Sequence, residues 1–525
     1  MRFALLAIVL LVLAGCSNPG GAPTTSAPNT APPVLTHPTL VGVKEPAAFE
    51  APTFKAPSLV SSGSALYSGG EPGIAAAPDG SMVISFPGCD KGSILVSLPG
   101  DESCGDGMLY RSTDGGQTWK RLNRHPDGKL DPDGPDANGD ADVTVDAAGA
   151  IYASNLGGSG IQFLRSEDGG VTWKWMANIV PPTEDKSDNP TAREGADRQW
   201  LAAAGPGHVI NAWMRTSPKR DVRLNTTFDG GVTWVGNLTF GTDIGWLGSV
   251  QFAPDGMHAY VPFTEPSGGG VDPIGLNDGA HFALHILRTE DGGRSWKDQN
   301  TGLEWDTSYT GLHWSGGYMA PALGVTGDGM VVVAAAVDQA PAPGAPFLTP
   351  TGTHIILRTS RDNGTTWSST VDLPQNSLNA VGAGPAVNEG LRIFPWIAGG
   401  AGDRFAMTFL SAPTPAQSDY AGTVWSVEAM VFDGAAEGKL VGHESLVQAD
   451  VHEGPICARG GVCAFPVDRT LLDYFECTVL ADGRLAVVYP ADPASVQKSL
   501  QIRVAVQDGG SRLFERVGNA TSPQT

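Results

Sequence analysis

The chain has 525 residues, of which 55 are acidic and 33 basic, for a formal net charge of −22. A surface of that sign repels phosphate backbones and anionic headgroups, which excludes nucleic acid as a partner and an anionic lipid surface as a target. Hydrophobic residues make up 41% of the chain, enough for an extensive core, and after Leu13 no apolar run is long enough to cross a bilayer.

Residues 1–16 read as a targeting segment. "MRFALLAIVLLVLAGC" has one positive charge, an apolar run from Phe3 to Leu13 and small residues ahead of Cys16. That is the pattern of a secretory signal, too short for a good spanning helix. "LAGC" resembles the bacterial lipobox. The resemblance implies that Cys16 is lipidated and begins the mature chain. The protein is then exported and held on the outside of a bacterial cell membrane by its lipid anchor alone. Residues 17–57 are rich in Pro, Ala, Thr, Ser and Gly and are expected to form a disordered, semi-extended tether. The composition is globular over 58–517, and 518–525 are expected to be a short disordered tail. Export favours disulfides, and spacing selects Cys89 with Cys104 and Cys457 with Cys463. Cys477, in "FECTVL", is expected to be a buried thiol.

The globular part repeats one pattern. "GIAAAPDGSMVISF", "DVTVDAAGAIYAS", "WLAAAGPGHVINAW", "SVQFAPDGMHAYVPF", "APALGVTGDGMVVVAAA", "FPWIAGGAGDRFAMTFL" and "CTVLADGRLAVVY" are apolar runs broken by a Gly-containing turn, the signature of a β-hairpin. After five of them comes a further strand, the motif Ser/Thr-x-Asp-x-Gly-x-Ser/Thr-Trp, and one more short strand. Four antiparallel strands per unit, repeated around a ring, predict an all-β fold, a β-propeller. Seven hairpins favour seven blades, with a six-bladed ring as the alternative.

The motif pairs Asp114 with Trp119, Asp168 with Trp173, Asp229 with Trp234, Asp291 with Trp296 and Asp362 with Trp367. Gly supplies positive φ in the turn, the Asp accepts backbone N–H groups, and the Trp folds into the space between strands. These residues are therefore expected to be turn staples. Arg111, Arg165, Arg288 and Arg358 precede the motif at nearly fixed spacing, which also points to a structural role. The motif resembles the Asp-box, or BNR repeat, of the sialidase superfamily, and the hairpin rhythm extends that likeness over about 64–510. The resemblance implies that the boxes lie on the periphery of the ring and identify the fold rather than the chemistry.

By the same resemblance, a sialidase clamps the substrate carboxylate with three Arg and uses a Tyr nucleophile paired with Glu and an Asp acid/base. The first Arg of that set sits in a Phe/Tyr-Arg-Ile-Pro motif early in the propeller, yet no Arg occurs here between Arg2 and Arg111. "LRIFP" around Arg392 is similar but has Leu391 before the Arg and an extra Phe before the Pro. Charge does gather where inner strands enter the channel: Glu71, Asp140 and Asp142, Glu194, Asp197 with Arg198, Arg392, and Asp473-Tyr474-Glu476. In a strand Tyr474 and Glu476 share one side, which makes them a candidate nucleophile and base. Asp197, Arg198, Arg392, Asp473, Tyr474 and Glu476 are the candidate catalytic set, against the alternative that they cap strands.

Within "DGKLDPDGPDANGD", Asp131, Asp133, Asp136, Asn138 and Asp140 offer closely spaced oxygens suited to Ca²⁺. The loop lacks the full spacing and distal Glu of an EF-hand, so structural calcium there competes with a solvated acidic loop. No cofactor is otherwise required. "HFALH" places His281 and His285 roughly 13 Å apart if the segment is a strand, too far to share one metal. Two functions are carried forward. One is a monomeric, lipid-anchored propeller that binds a glycan or protein ligand at its face without sialidase turnover. The other is a glycoside hydrolase, exo-α-sialidase-like. An extracytoplasmic assembly or scaffold factor is a third reading.

Overall fold

Apolar runs hinged at a glycine turn bury both faces only by stacking on copies of themselves, and the computed structural model has that arrangement. It describes residues 43–47, 49–64, 70–87, 108–122, 137–157, 160–179, 195–217, 219–267, 281–306, 320–338, 353–373, 390–413, 422–434, 440–454, 456, 471, 473–492 and 499–516. These form seven antiparallel blades, and no α-helix is present among the described residues. The innermost strands are Gly73–Ala76, Ala137–Val145, Gly195–Ala203, Gln251–Phe252, Ala322–Val325, Gly390–Gly399 and Glu476–Val479. Each touches the next, and the last touches the first, so the ring closes around a channel.

Strand composition follows position in the blade. Second strands are apolar on both faces, as at 331–337, because neighbouring blades cover both sides. Inner strands use Ala and Gly because they converge on the axis. A Cβ on Gly399 would lie 1.8 Å from the Val325 carbonyl oxygen of the preceding blade.

The seventh blade is completed from the other end of the chain. Ser58–Ser64 runs antiparallel to Ser499–Gly509, with Leu59 opposite Arg503, and Thr53–Phe54 extends the same edge. Val43–Lys44 pairs with Glu515–Arg516. The buried Arg404 guanidinium donates to Glu45 and to the Pro46 carbonyl and lies 5.1 Å from the Phe49 ring. The fold therefore takes in residues from Val43, ahead of the expected boundary at Ser58. The end of the Pro-rich stretch contributes backbone pairing, to which composition is blind.

The five boxes share one hydrogen-bond scheme. In the second, the Ser166 hydroxyl donates to Asp168 Oδ1 at 2.9 Å and accepts the Gly170 N–H at 2.8 Å. Asp168 also accepts the N–H groups of Val171 and Thr172 and the Thr172 hydroxyl. Gly169 and Gly170 have φ of 73° and 86°, and in the fifth box Asn363 takes the first of these positions at 58°, as Asn can. Hydrogen bonds from the box threonines, first among the causes, hold Asp114, Asp168 and Asp362 down at about 2.

The recurrent arginines join one blade to the next. Arg111 donates to the Gly169 carbonyl at 2.9 Å and Arg288 to the Asn363 carbonyl at 3.2 Å, each the residue after the next box's Asp. Arg165 packs against Gly230 at the same place in the third box. The third box has no such Arg, and His208 Nε2 meets the Gly292 carbonyl instead at 2.7 Å. Arg358 departs from the set. It stands one residue out of phase, on the opposite strand face, and donates back to the Thr301 carbonyl at 3.0 Å.

Two outcomes test this account. Ser166→Ala leaves the buried Gly170 N–H without its acceptor and should lower stability by about 1–3 kcal/mol in a denaturant titration, with ligand binding unchanged. The Asp168 pKa is depressed, so its contribution is present above the unfolded value of 3.8 and is lost as pH falls toward about 2. The stability gap between wild type and Asp168→Asn should therefore hold steady above about pH 4 and narrow below it.

Candidate functional site at the channel mouth

Three of the seven inner strands enter the channel through a shared kink. Glu71, Arg198 and Phe394 have positive φ of 54°, 53° and 57°, and each stands two residues before the channel position held by Gly73, Trp200 or Trp396. Register shifts fall at the same point, between Asp197 and Trp200 and between Ile393 and Trp396. Left-handed backbone in non-glycine residues costs on the order of 1–3 kcal/mol each and persists only where surroundings hold it.

Arg198 is the centre of the first cluster and is 5% exposed. Its Nη1 donates to Glu71 at 2.7 Å and its Nη2 to Asp473, while its backbone N–H donates to Asp197. The guanidinium also lies 5.2 Å from the Trp246 ring and 5.6 Å from the Tyr474 ring. Burial raises Glu71 well above the ordinary carboxylate range even with Arg198 beside it. Burial, then the charge of Asp140, pushes Asp197 up to about 7. One cation therefore sits among four carboxyl groups, and protons retained by some of them balance the rest.

Tyr474 stands just before its strand rather than within it. Its ring meets Trp200 edge-on at 4.6 Å and stacks on Trp396 at 6.0 Å. Burial raises its hydroxyl well above the ordinary value, the opposite of what a phenolate nucleophile needs. Glu476 Oε2 accepts the Ile74 N–H at 2.9 Å, on the far side of the seam between the seventh and first blades. The strand alternation used to pair the two residues does not apply, because strand structure begins at Glu476.

Arg392 belongs to a different group. It donates to both oxygens of Glu444, at 2.8 and 3.1 Å, and lies 4.8 Å from the Phe409 ring. The Ser411 hydroxyl donates to Glu428, which burial and then Glu444 push up to about 8. These residues come from the four strands of the sixth blade, and Nη2 of Arg392 makes both contacts to Glu444. Arg198 and Arg392 belong to separate clusters, each paired to the protein's own acids.

Several expected sites have a different outcome. Asp131, Asp133 and Asp136 lie outside the described residues, as does the side chain of Asn138. Asp140 belongs to an inner strand, where its carbonyl accepts Gln199 and its carboxyl faces Asp197. Among the described residues no group of three or more His, Cys, Asp or Glu is placed to hold a metal ion. His281 and His285 meet separate acids, Asp306 and Asp298, each at 2.9 Å. Cys89, Cys104, Cys457, Cys463, Glu194 and Cys16 lie outside the described residues. Cys477 is a buried free thiol, pushed up to about 12 by burial.

Sequence reasoning passed over Gly73, Trp200, Trp246 and Trp396. The signal for two of them was present, since "DRQWLA" and "RIFPWIA" place a Trp at the same distance past the kink.

Residues 110–121 match the BNR/Asp-box repeat. No curated protein matches the chain. Among solved structures it is similar to an α-L-arabinanase from Penicillium chrysogenum complexed with arabinobiose, at 14% identity over 87% of this chain and 99% of that one, TM-score 0.43. It is also similar to the GH93 α-L-arabinofuranosidase of Fusarium graminearum with arabinobiose, at 10% identity over 86% and 97%, TM-score 0.43. A PL25 ulvan lyase shares 13% identity over 90% and 98%, TM-score 0.41.

Removing the central cation should be costly. Arg198→Met removes the cation that Glu71 and Asp473 both meet and should lower stability by about 3–5 kcal/mol at neutral pH. The loss should shrink as pH falls and Glu71 takes up a proton. Thermal melts at two pH values measure both.

Proposed function

We propose that the protein is an exported, lipid-anchored propeller that binds a carbohydrate at the channel mouth and does not hydrolyse sialic acid. The observation that carries it is the closure of Arg198 on Glu71 and Asp473. An acidic sugar would have to break that buried pair before it could be clamped, and Arg392 is held elsewhere by Glu444. The resemblance to the sialidase superfamily supports a carbohydrate ligand, and the carboxyl groups at the strand entries suit its hydroxyls. The lipobox "LAGC" supports the anchor. A glycoside hydrolase is the second reading, favoured by the paired carboxyl groups Asp142 and Glu476.

The full-length protein in detergent should bind members of a glycan array and release no fluorophore from a fluorogenic sialoside, with or without Ca²⁺. Robust release that disappears in Tyr474→Phe would overturn the reading. Cys16→Ser should shift the protein out of the membrane fraction and remove the mass of acyl chains. Unchanged fractionation and mass would reject the anchor.

A further inference from the structure

The segment "HFALH" has no part in the site above. It opens the third strand of the fourth blade, His281–Thr289, which lies between Ala259–Ser267 and the edge strand Lys297–Asp306. Alternation divides this sheet into two faces. Phe282, Leu284, Leu303 and Trp305 turn into the core shared with the fifth blade. His281, Ala283, His285, Glu304 and Asp306 take the other face, and the register sets Glu265 and Glu304 on either side of Ala283.

His285 joins all three strands. Its Nδ1 meets Asp298 at 2.9 Å and its Nε2 meets Glu265 at 3.3 Å, one acid from each flanking strand. His281 meets Asp306 at 2.9 Å through Nδ1 and Glu304 at 3.5 Å through Nε2. Two imidazoles thus stand among four carboxylates. Lys297, next to Asp298, pairs with Glu290 instead. From the preceding blade, Gly241 packs on Phe263, whose ring lies 5.3 Å from His285, and the charged residue of that segment is another acid, Asp243. The end of the edge strand also lies past a break in the ladder. The register shifts between Leu284 and His285, and Gly302 at that point has φ of 69°.

We propose that this face is a pH-sensitive clamp: the charged imidazoles of His281 and His285 hold the end of the edge strand against the blade, and once they are neutral the four carboxylates repel one another and loosen it. The electrostatics run in that direction. The Asp306 bond, first among the causes, raises His281 above its ordinary value. Burial lowers His285, but Asp298, Glu265 and Glu304 outweigh it and the net shift is upward. Glu304 acts on both rings. Since both groups are raised, their contribution is complete below the unfolded value of 6.5 and is lost as pH climbs through the folded one. The clamp is independent of the carbohydrate reading.

Hydrogen exchange of the full-length protein in detergent, read by mass spectrometry and corrected for the intrinsic pH dependence of amide exchange, tests it. Histidine charge is lost between about pH 6 and about pH 8.5. Across that range, protection of residues 303–306 should fall roughly threefold or more relative to the buried strand Val331–Asp338, the scale of solvent-exposed ion pairs. In the double variant His281→Gln with His285→Gln, protection should start low and stay level. Glu304→Gln, which removes one repelling charge, should keep more of its protection at the upper pH. A flat wild-type response, or one that persists unchanged in the double variant, would overturn the clamp. If the double variant does not fold, NMR titration of the wild-type imidazole rings decides. Both must titrate above 6.5, and a value at or below it for either ring rejects the proposal.

Discussion

The pairing of Ser58–Ser64 with Ser499–Gly509 completes the seventh blade from the other end of the chain and so closes the ring. It joins segments far apart in the chain; the Ser58 hydroxyl reaches a carbonyl 446 residues away. The entropic cost of closing so long a loop rises only logarithmically with its length. The ladder, interrupted by one register shift between Leu59 and Ser61, and the Thr53–Phe54 pair beside it offset that cost. Trp119 of the first box donates to Ser58 Oγ at 3.0 Å, so the first blade also holds the strand that completes the last.

The candidate site lies across that seam. Glu71 and Gly73 come from the first blade, Asp142 from the second, Arg198 and Trp200 from the third, and Asp473, Tyr474 and Glu476 from the seventh. The contacts that assemble it are correspondingly non-local: Arg198 to Asp473 spans 275 residues and Ile74 to Glu476 spans 402. The site geometry is thus a property of the closed ring rather than of any blade. Buried ion pairs add little net stability but penalise any arrangement that separates them. Around Arg198 that penalty fixes how the first, third and seventh blades meet.

The fold was legible in the sequence because its determinants are local. The turn at each Asp-box is set by an Asp, a hydroxyl residue and a left-handed position within a few residues, and the hairpins alternate visibly around "PDG" or "GDG". The N-terminal boundary was not legible, since Val43–Lys44 and Thr53–Phe54 pair through backbone groups that any sequence carries. The site was legible in part. Glu71, Asp142, Asp197, Arg198, Asp473, Tyr474 and Glu476 were recognisable as charge at strand entries. Their partners were not. Nothing near Tyr474 says that Glu476 turns to Ile74, because that contact depends on the kink at Glu71 and on ring closure. Arg392 was grouped with Arg198 on strand position and on the likeness of "LRIFP" to the sialidase Arg motif, and its partner Glu444 lies three strands outward.

The order of the N-terminal pairs bears on how the protein carries force. Tension applied through residues ahead of Val43 first meets the two-residue pair with Glu515–Arg516, backed by the Arg404 contacts, and then the short Thr53–Phe54 pair. Only after both have parted would load reach Ser58–Ser64 and the seam. Both short pairs lie outside the ladder that completes the seventh blade. A pull from the N-terminal side would therefore load the first segments of the fold in series before it reached the strand that closes the ring.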